Sequence, residues 1–286
     1  MMRRWFYALV FTGLMVSGAR AQQGAATAND NQLYCSGIVT TDPVPTDTYV
    51  ISGANSYFRV TFSDHKLVFI NKGSSQGVKA GDQFQVIRPV SGDELKYEWF
   101  KDQDKLLKAM GTTYEDKARL RVVNVQQNVS TAEVVSSCSY VQRGDLVLPF
   151  TSRPAPQLKS AEGFDIFAPA SGKAKAMIVT TRYFGDLGAE GRIAYVNLGS
   201  AQGVKVGDYF RVFRYQGNTL EAEYQTPHIA YQVFGFGTTP RPYAGAELPR
   251  DILGEGVVLR VSKNAATVLI TLSKAAMFPG DYVELE

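Results

Sequence analysis

VFINKGSSQGVKAGDQFQVIR (Val68–Arg88) returns as AYVNLGSAQGVKVGDYFRVFR (Ala194–Arg214), with 12 of 21 positions identical at an offset of 126. A second pair follows at an offset of 136, Asn128–Leu148 (NVSTAEVVSSCSYVQRGDLVL) against Asn264–Glu284 (NAATVLITLSKAAMFPGDYVE). The order of the two blocks is kept, and ten residues are added between them in the second copy. Repetition of this kind marks one module of roughly 100 residues used twice.

Each shared block reads as β structure. Phe84, Val86 and Arg88, like Phe210, Val212 and Arg214, alternate with the residues between them, at the period of a strand. Gly-Asp steps open strands in both copies: Gly81-Asp82 and Gly207-Asp208 in the first block, Gly144-Asp145 and Gly280-Asp281 in the second. Glycine accepts a positive φ there and aspartate can accept from a nearby backbone N–H, so these steps, with Gly77 and Gly203, read as structural turns. The stretch Glu98–Met110, with Phe100, Gln103, Leu107 and Met110 at helical spacing, predicts a short helix in the first module. The expected fold is therefore all-β: two tandem small barrels or sandwiches, an SH3-like barrel among the candidates.

Outward from the repeat, residues 1–21 read as a secretory leader. Arg3 and Arg4 precede the apolar run Trp5–Val16, and Ala19-Arg20-Ala21 is a small-x-small cleavage site. The apolar run is too short to span a bilayer, which needs about 20 residues. The expectation is an exported chain without a membrane anchor after cleavage, periplasmic or secreted. The remaining divisions are an extended N-terminal segment at 22–48, module 1 at 49–148, a proline-containing linker at 149–172 and module 2 at 173–286. In an oxidising compartment a Cys35–Cys138 disulfide is the simplest account of two cysteines, with two free buried thiols as the alternative.

The formal charge of +3 comes from 30 basic and 27 acidic residues. Arg3, Arg4 and Arg20 all lie in the leader, which has no acidic residue, so the mature chain is balanced at 27 of each. Net charge therefore gives no reason to expect nucleic acid or an anionic membrane as partner.

The pattern Asn-x-Gly-x-x-x-Gly-Val-Lys-x-Gly-Asp-x-Phe-x-Val, at 71–86 and again at 197–212, resembles the C-terminal β domain of the flagellar assembly T protein. It is also similar to β modules found beside LysM domains in bacterial envelope proteins, where segments like Cys35–Thr41 and Val44–Asp47 precede the first module. No LysM repeat is present here. The resemblance implies an envelope scaffold and brings no catalytic residues with it.

Gly73-Ser74-Ser75-Gln76-Gly77 matches the G-x-S-x-G nucleophile elbow, for which His65 would be a base. The second copy keeps the glycines but has Ala201 in place of the serine, and a Gly-Asp step and a strand follow where an elbow requires a helix. A structural loop is the favoured reading. Asp82, Asp145, Asp208 and Asp281 each have a local turn to explain them. Cys35 and Cys138, and His65 and His228, are too far apart in sequence for a zinc-type ligand set. Without a P-loop or dinucleotide fingerprint, no cofactor, metal or enzymatic activity is expected. Asn128-Val-Ser130 is a glycosylation sequon, meaningful only in a eukaryotic secretory host.

The insert of the second copy is the candidate binding element. Between Tyr215 and Leu253 it carries Tyr224, His228, Tyr231, Phe234, Phe236 and Tyr243, interleaved with glycines and prolines. Aromatic rings on a long connection anchor protein partners or stack on sugars. The alternative is that they fold back over an open barrel end. The expected partner is an envelope protein, with peptidoglycan or another glycan as the alternative.

Overall fold

A computed structural model describes residues 26–90, 99–160, 164–182, 188–215 and 249–286. The leader and the six aromatic and histidine residues of the insert, Tyr224 to Tyr243, lie outside the described residues.

The chain builds two six-stranded antiparallel barrels of the same topology. In barrel 1 the strand order is β2 (Val50–Gly53), β4 (Leu67–Ile70), β7 (Ser130–Ser137), β6 (Thr112–Val125), β5 (Gln83–Pro89) and β9 (Leu146–Pro149). Its two edges meet at a bridge between Tyr49 and Leu146. In barrel 2 the order is β10 (Lys175–Thr181), β11 (Ile193–Val196), β14 (Ala266–Ser273), β13 (Asp251–Val261), β12 (Tyr209–Arg214) and β15 (Tyr282–Leu285), closed by pairing of β10 with β15. In barrel 1 a two-stranded sheet of β3 (Thr61–Phe62) and β8 (Val141–Gln142) lies beside the barrel, and barrel 2 keeps it as a bridge between Gly188 and Met277.

Register shows how far the duplication goes. Leu120 pairs with Val134 as Gly256 pairs with Ile270, and Ala118 with Ser137 as Gly254 with Ser273. Even a bulge recurs, between Val86 and Ile87 and again between Val212 and Phe213. A bulge adds one unpaired residue and bends the strand, so its recurrence at one position means that both barrels curve in the same way.

Each barrel has its own core, around Val68, Ile70, Val86, Leu120 and Val134 in the first and Ala194, Val196, Phe210, Val258 and Ile270 in the second. The outer faces differ. Along β4 the buried residues alternate with Leu67 and Phe69, which are not buried, whereas all four residues of β11 are buried. A third apolar cluster covers barrel 2 on that side: Leu33, Val39 and Met110 pack on Val179, Ile193, Tyr195, Val257, Leu259 and Leu269. At about 1.5–3 kcal/mol for each large apolar side chain taken from water, this layer is a major part of what joins the barrels.

Three pieces of chain make the layer. The N-terminal segment folds into α1 (Asp30–Tyr34), capped by Asn29 and Gln32 side chains, then β1 (Ile38–Thr40), which pairs with the first residues of β6. The predicted helix is present as α2 (Gln103–Met110) and stops at Gly111, whose φ is 111°. Residues 150–160 run along the same junction, where Ala28 N–H donates to Pro156 O (3.1 Å) and Leu158 N–H to Ala26 O (2.7 Å).

Candidate interaction site

The repeated turns come first, because they set the barrel ends. Gly77, Gly81 and Gly144 in barrel 1, and Gly203, Gly207 and Gly280 in barrel 2, have φ between 84° and 101°. Each following or nearby aspartate accepts a backbone N–H three residues upstream: Asp82 from Lys79 (2.8 Å), Asp208 from Lys205 (2.8 Å), Asp145 from Gln142 (2.8 Å) and Asp281 from Phe278 (2.7 Å). Asp145 and Asp281 are also buried, and each takes a two-pronged contact from the last residue of the repeated block. Arg88 reaches Asp145 at 2.6 and 2.8 Å, and Arg214 reaches Asp281 at 2.7 and 2.7 Å. This forked geometry satisfies both carboxylate oxygens and ties β5 to β9, and β12 to β15.

Ser75 sits in a single 3₁₀ turn, Ser74–Gln76, with no α-helix behind it. Its hydroxyl donates to Gln127 O at 2.6 Å, with Asn128 Oδ1 at 2.8 Å. Gly73 is held here by close approach, because a Cβ on it would lie 2.2 Å from Gln126 O; Gly199 meets Ser262 O at 2.3 Å in the same way. His65 pairs instead with Glu133 (3.5 Å), whose carboxyl is held below its usual range by hydrogen bonds from Arg121 and His65. Among the described residues no group of three His, Cys, Asp or Glu could hold a metal ion, and no helix is long and apolar enough to cross a membrane.

The connection between the third and fourth barrel strands, β5 to β6 in the first copy and β12 to β13 in the second, is where the copies diverge. In barrel 1 it carries α2 and docks on barrel 2. Gln103 Nε2 donates to Val179 O (2.7 Å), Asn264 Nδ2 donates to Ala109 O (3.1 Å), and Phe100 lies against Gly280. In barrel 2 the same connection is the aromatic insert, and its two roots are clamped. Phe213, Tyr215 and Tyr282 form a ring cluster with centroids 5.0–5.7 Å apart. Arg250 stacks 4.3 Å over Phe213 and reaches both oxygens of the fully buried Glu284 at 2.9 and 3.0 Å. Both residues that flank the insert, Tyr215 and Arg250, are therefore held to the barrel wall by ring packing and a buried ion pair.

Near this wall Glu255 has its carboxyl pushed above the usual range, first by burial and then by the neighbouring Glu286. The unfolded chain gives up this proton at a lower pH than the native protein. Stability thus falls as pH rises from the ordinary glutamate range through the raised native value, and is flat above it. Glu255→Gln is expected to unfold at a higher temperature than the wild type at neutral pH, with the gap closing at acid pH where both glutamates are protonated. Thermal melts at the two pH values check this.

Sequence reasoning missed the polar junction between the barrels. Asp116, 3% exposed, accepts from Gly37 N–H (2.8 Å) and from the Gln85 side chain, with Arg260 at 3.4 Å and Arg153 at 3.7 Å. Burial lowers the pKa of Arg260, while Asp116 opposes that shift. Arg260 also donates to Gly37 O (3.1 Å), the Tyr195 hydroxyl to Ser36 O (2.9 Å), and Ser262 Oγ to Val39 O (2.6 Å). Gly37 has a φ of 69°, and a Cβ there would lie 2.4 Å from the Tyr195 hydroxyl, so the segment fits only with glycine at this point. The Cys35–Cys138 disulfide is present, with Cα atoms 5.3 Å apart, and fixes the same segment to the end of β7.

Comparison of the whole chain with curated proteins gives no match. A family model does match part of it. From the turn before β4 to the end of β9, residues 65–149, barrel 1 matches the family described as flagellar assembly protein T, C-terminal domain.

Proposed function

We propose that this chain is an exported, non-enzymatic interaction protein of the bacterial envelope, which binds another envelope protein through the connection that leaves barrel 2. The observation that carries the reading is the behaviour of the equivalent connection in barrel 1. There it docks a helix on a neighbouring barrel, with Gln103 and Met110 making the contact. The second copy offers Tyr224, His228, Tyr231, Phe234, Phe236 and Tyr243 from the same topological position; tyrosine is enriched at binding hot spots and phenylalanine in interfaces. The match of barrel 1 to a flagellar assembly domain supports a place among envelope or flagellar components, and the leader at residues 1–21 supports export to the periplasm or beyond.

Tyr231→Ala combined with Phe234→Ala is expected to abolish recovery of a specific envelope protein with the tagged chain and to impair complementation, with the thermal midpoint unchanged. Unchanged complementation by the double variant would remove the reading. Sedimentation with purified sacculi separates the glycan alternative, since a protein binder stays in the supernatant. A serine-reactive probe is expected to leave Ser75 unlabelled, and labelling lost in Ser75→Ala would restore a hydrolase.

A further inference from the structure

The loop between β2 and β3 puts large apolar side chains in water. Tyr57, Phe58 and Val60 are 78%, 82% and 79% exposed, and the two rings touch, with centroids 4.3 Å apart. The loop is ordered by its backbone: Asn55 has a φ of 61°, and Phe58 N–H donates to Asn55 O at 3.0 Å. Nothing in the core explains the rings, because the apolar face of this barrel is already filled from Val50 and Phe62 inward.

The neighbours of the loop are cationic. Arg59 lies within it; Lys66 and the half-exposed Leu67 lie beside its start, where Ala54 N–H donates to Leu67 O. Arg143 follows Gln142, which pairs with Thr61 at the end of the loop. All three cations are exposed, and none has an ion-pair partner among the described residues; the acids in the turns that carry them are Asp64 and Asp145, and Asp145 is buried and already paired with Arg88. The balanced charge of the whole chain hides this local excess. The sequence also repeats the pair: Tyr183-Phe184 stands 126 residues after Tyr57-Phe58, at the offset of the main repeat, with Arg182 adjoining it. Tyr183 and Phe184 lie outside the described residues.

We propose that the Tyr57–Val60 loop is a wedge that inserts into the headgroup region of an anionic phospholipid surface, with Arg59, Lys66 and Arg143 against the lipid phosphates. A convex apolar tip ringed by cations, with an aromatic that carries a hydroxyl, is the composition of an interfacial anchor. Two observations favour lipid over a protein. A single loop tip is far smaller than the roughly 800 Å² that each partner buries in a stable protein interface. A second copy of this chain packed on the same tip would oppose Arg59 to Arg59. Insertion and charge together supply the two signals that reversible membrane attachment needs. The proposal is independent of the protein-binding role of the insert.

The test is flotation of the chain purified from Gln22 onward, which keeps every described residue, with vesicles of phosphatidylglycerol and phosphatidylethanolamine or of phosphatidylcholine alone. The chain is expected to float with the anionic vesicles and to be released by salt. Tyr57→Ser with Phe58→Ser is expected to reduce binding by about tenfold, and Arg59→Glu to weaken it and flatten the salt dependence. Because the loop is exposed, unchanged thermal midpoints and an intact disulfide show that the variants are folded. Replacement of residues 216–248 by a short glycine-serine loop leaves flotation unchanged, which separates this site from the insert. Absence of flotation, equal flotation of the double serine variant, or loss of an envelope protein from Phe58 variants without any vesicle binding would overturn the proposal.

Discussion

Asp116→Ala is expected to lower the unfolding midpoint by roughly 10 °C. The carboxylate is buried at the point where the N-terminal segment, barrel 1 and barrel 2 meet, and it faces Arg260, Arg153 and the Gly37 N–H together. Removing it leaves the enclosed guanidinium of Arg260 without its counter-charge and the Gly37 N–H without its acceptor. Breaking one partner of a buried pair costs about 3–5 kcal/mol, because the remaining charge has lost both water and partner. Asp116→Asn keeps an acceptor for Gly37 and is expected to lose less. The effect should also be local in space: faster proteolysis within residues 150–160, which run along this junction, and no early loss of the barrel cores. An alanine variant that melts with the wild type would show that the junction charges contribute nothing.

Replacing both cysteines with alanine is expected to have an effect of similar size. The bridge closes a loop with a sequence separation of 103. For a loop near 100 residues, restriction of the unfolded chain amounts to about 4–5 kcal/mol. In this protein the native state is affected as well, since Cys35 closes the helix whose Leu33 lies in the layer between the barrels. The expected result is a midpoint lower by roughly 10 °C or more, with the wild type in reductant melting like the variant. Equal melting of oxidised and reduced wild type would mean that packing alone holds the segment.

The turns were legible because the chain prints them twice. Gly77 and Gly203, or Asp82 and Asp208, stand at the same place in both copies, and each pair adopts the same φ or accepts the same N–H. The helix at Gln103–Met110 was legible from the spacing of Phe100, Leu107 and Met110, and the disulfide from two cysteines in a chain read as exported. The junction was not legible by the same route, and for a physical reason. Self-comparison reveals what two modules share, whereas a contact between them needs different residues on each side. Asp116 corresponds to Ile252 in the second copy and Arg260 to Asn124 in the first, so neither appears in the repeat.

A weaker signal for the covered face does exist. In β14 the run Ala-Thr-Val-Leu-Ile is buried without a break, while Ser-Thr-Ala-Glu-Val in β7 alternates. A strand that is apolar on both faces has a layer on both sides. Ile193 and Tyr195 against Leu67 and Phe69 give the same contrast. What covers the face could not be read from the strands, because α1 and β1 are short and lie far away in sequence. The Tyr57–Val60 loop escaped notice for a related reason: its cations come from three separate turns that only the fold brings together.

Two copies of one barrel, the segment before them and the helix of the first connection form one cooperative unit. Differential scanning calorimetry of the oxidised chain from Gln22 onward tests it most directly. The account predicts one transition, with equal calorimetric and van't Hoff enthalpies, that moves down by roughly 10 °C as a single transition in Asp116→Ala. Two separate transitions in the wild type would contradict it.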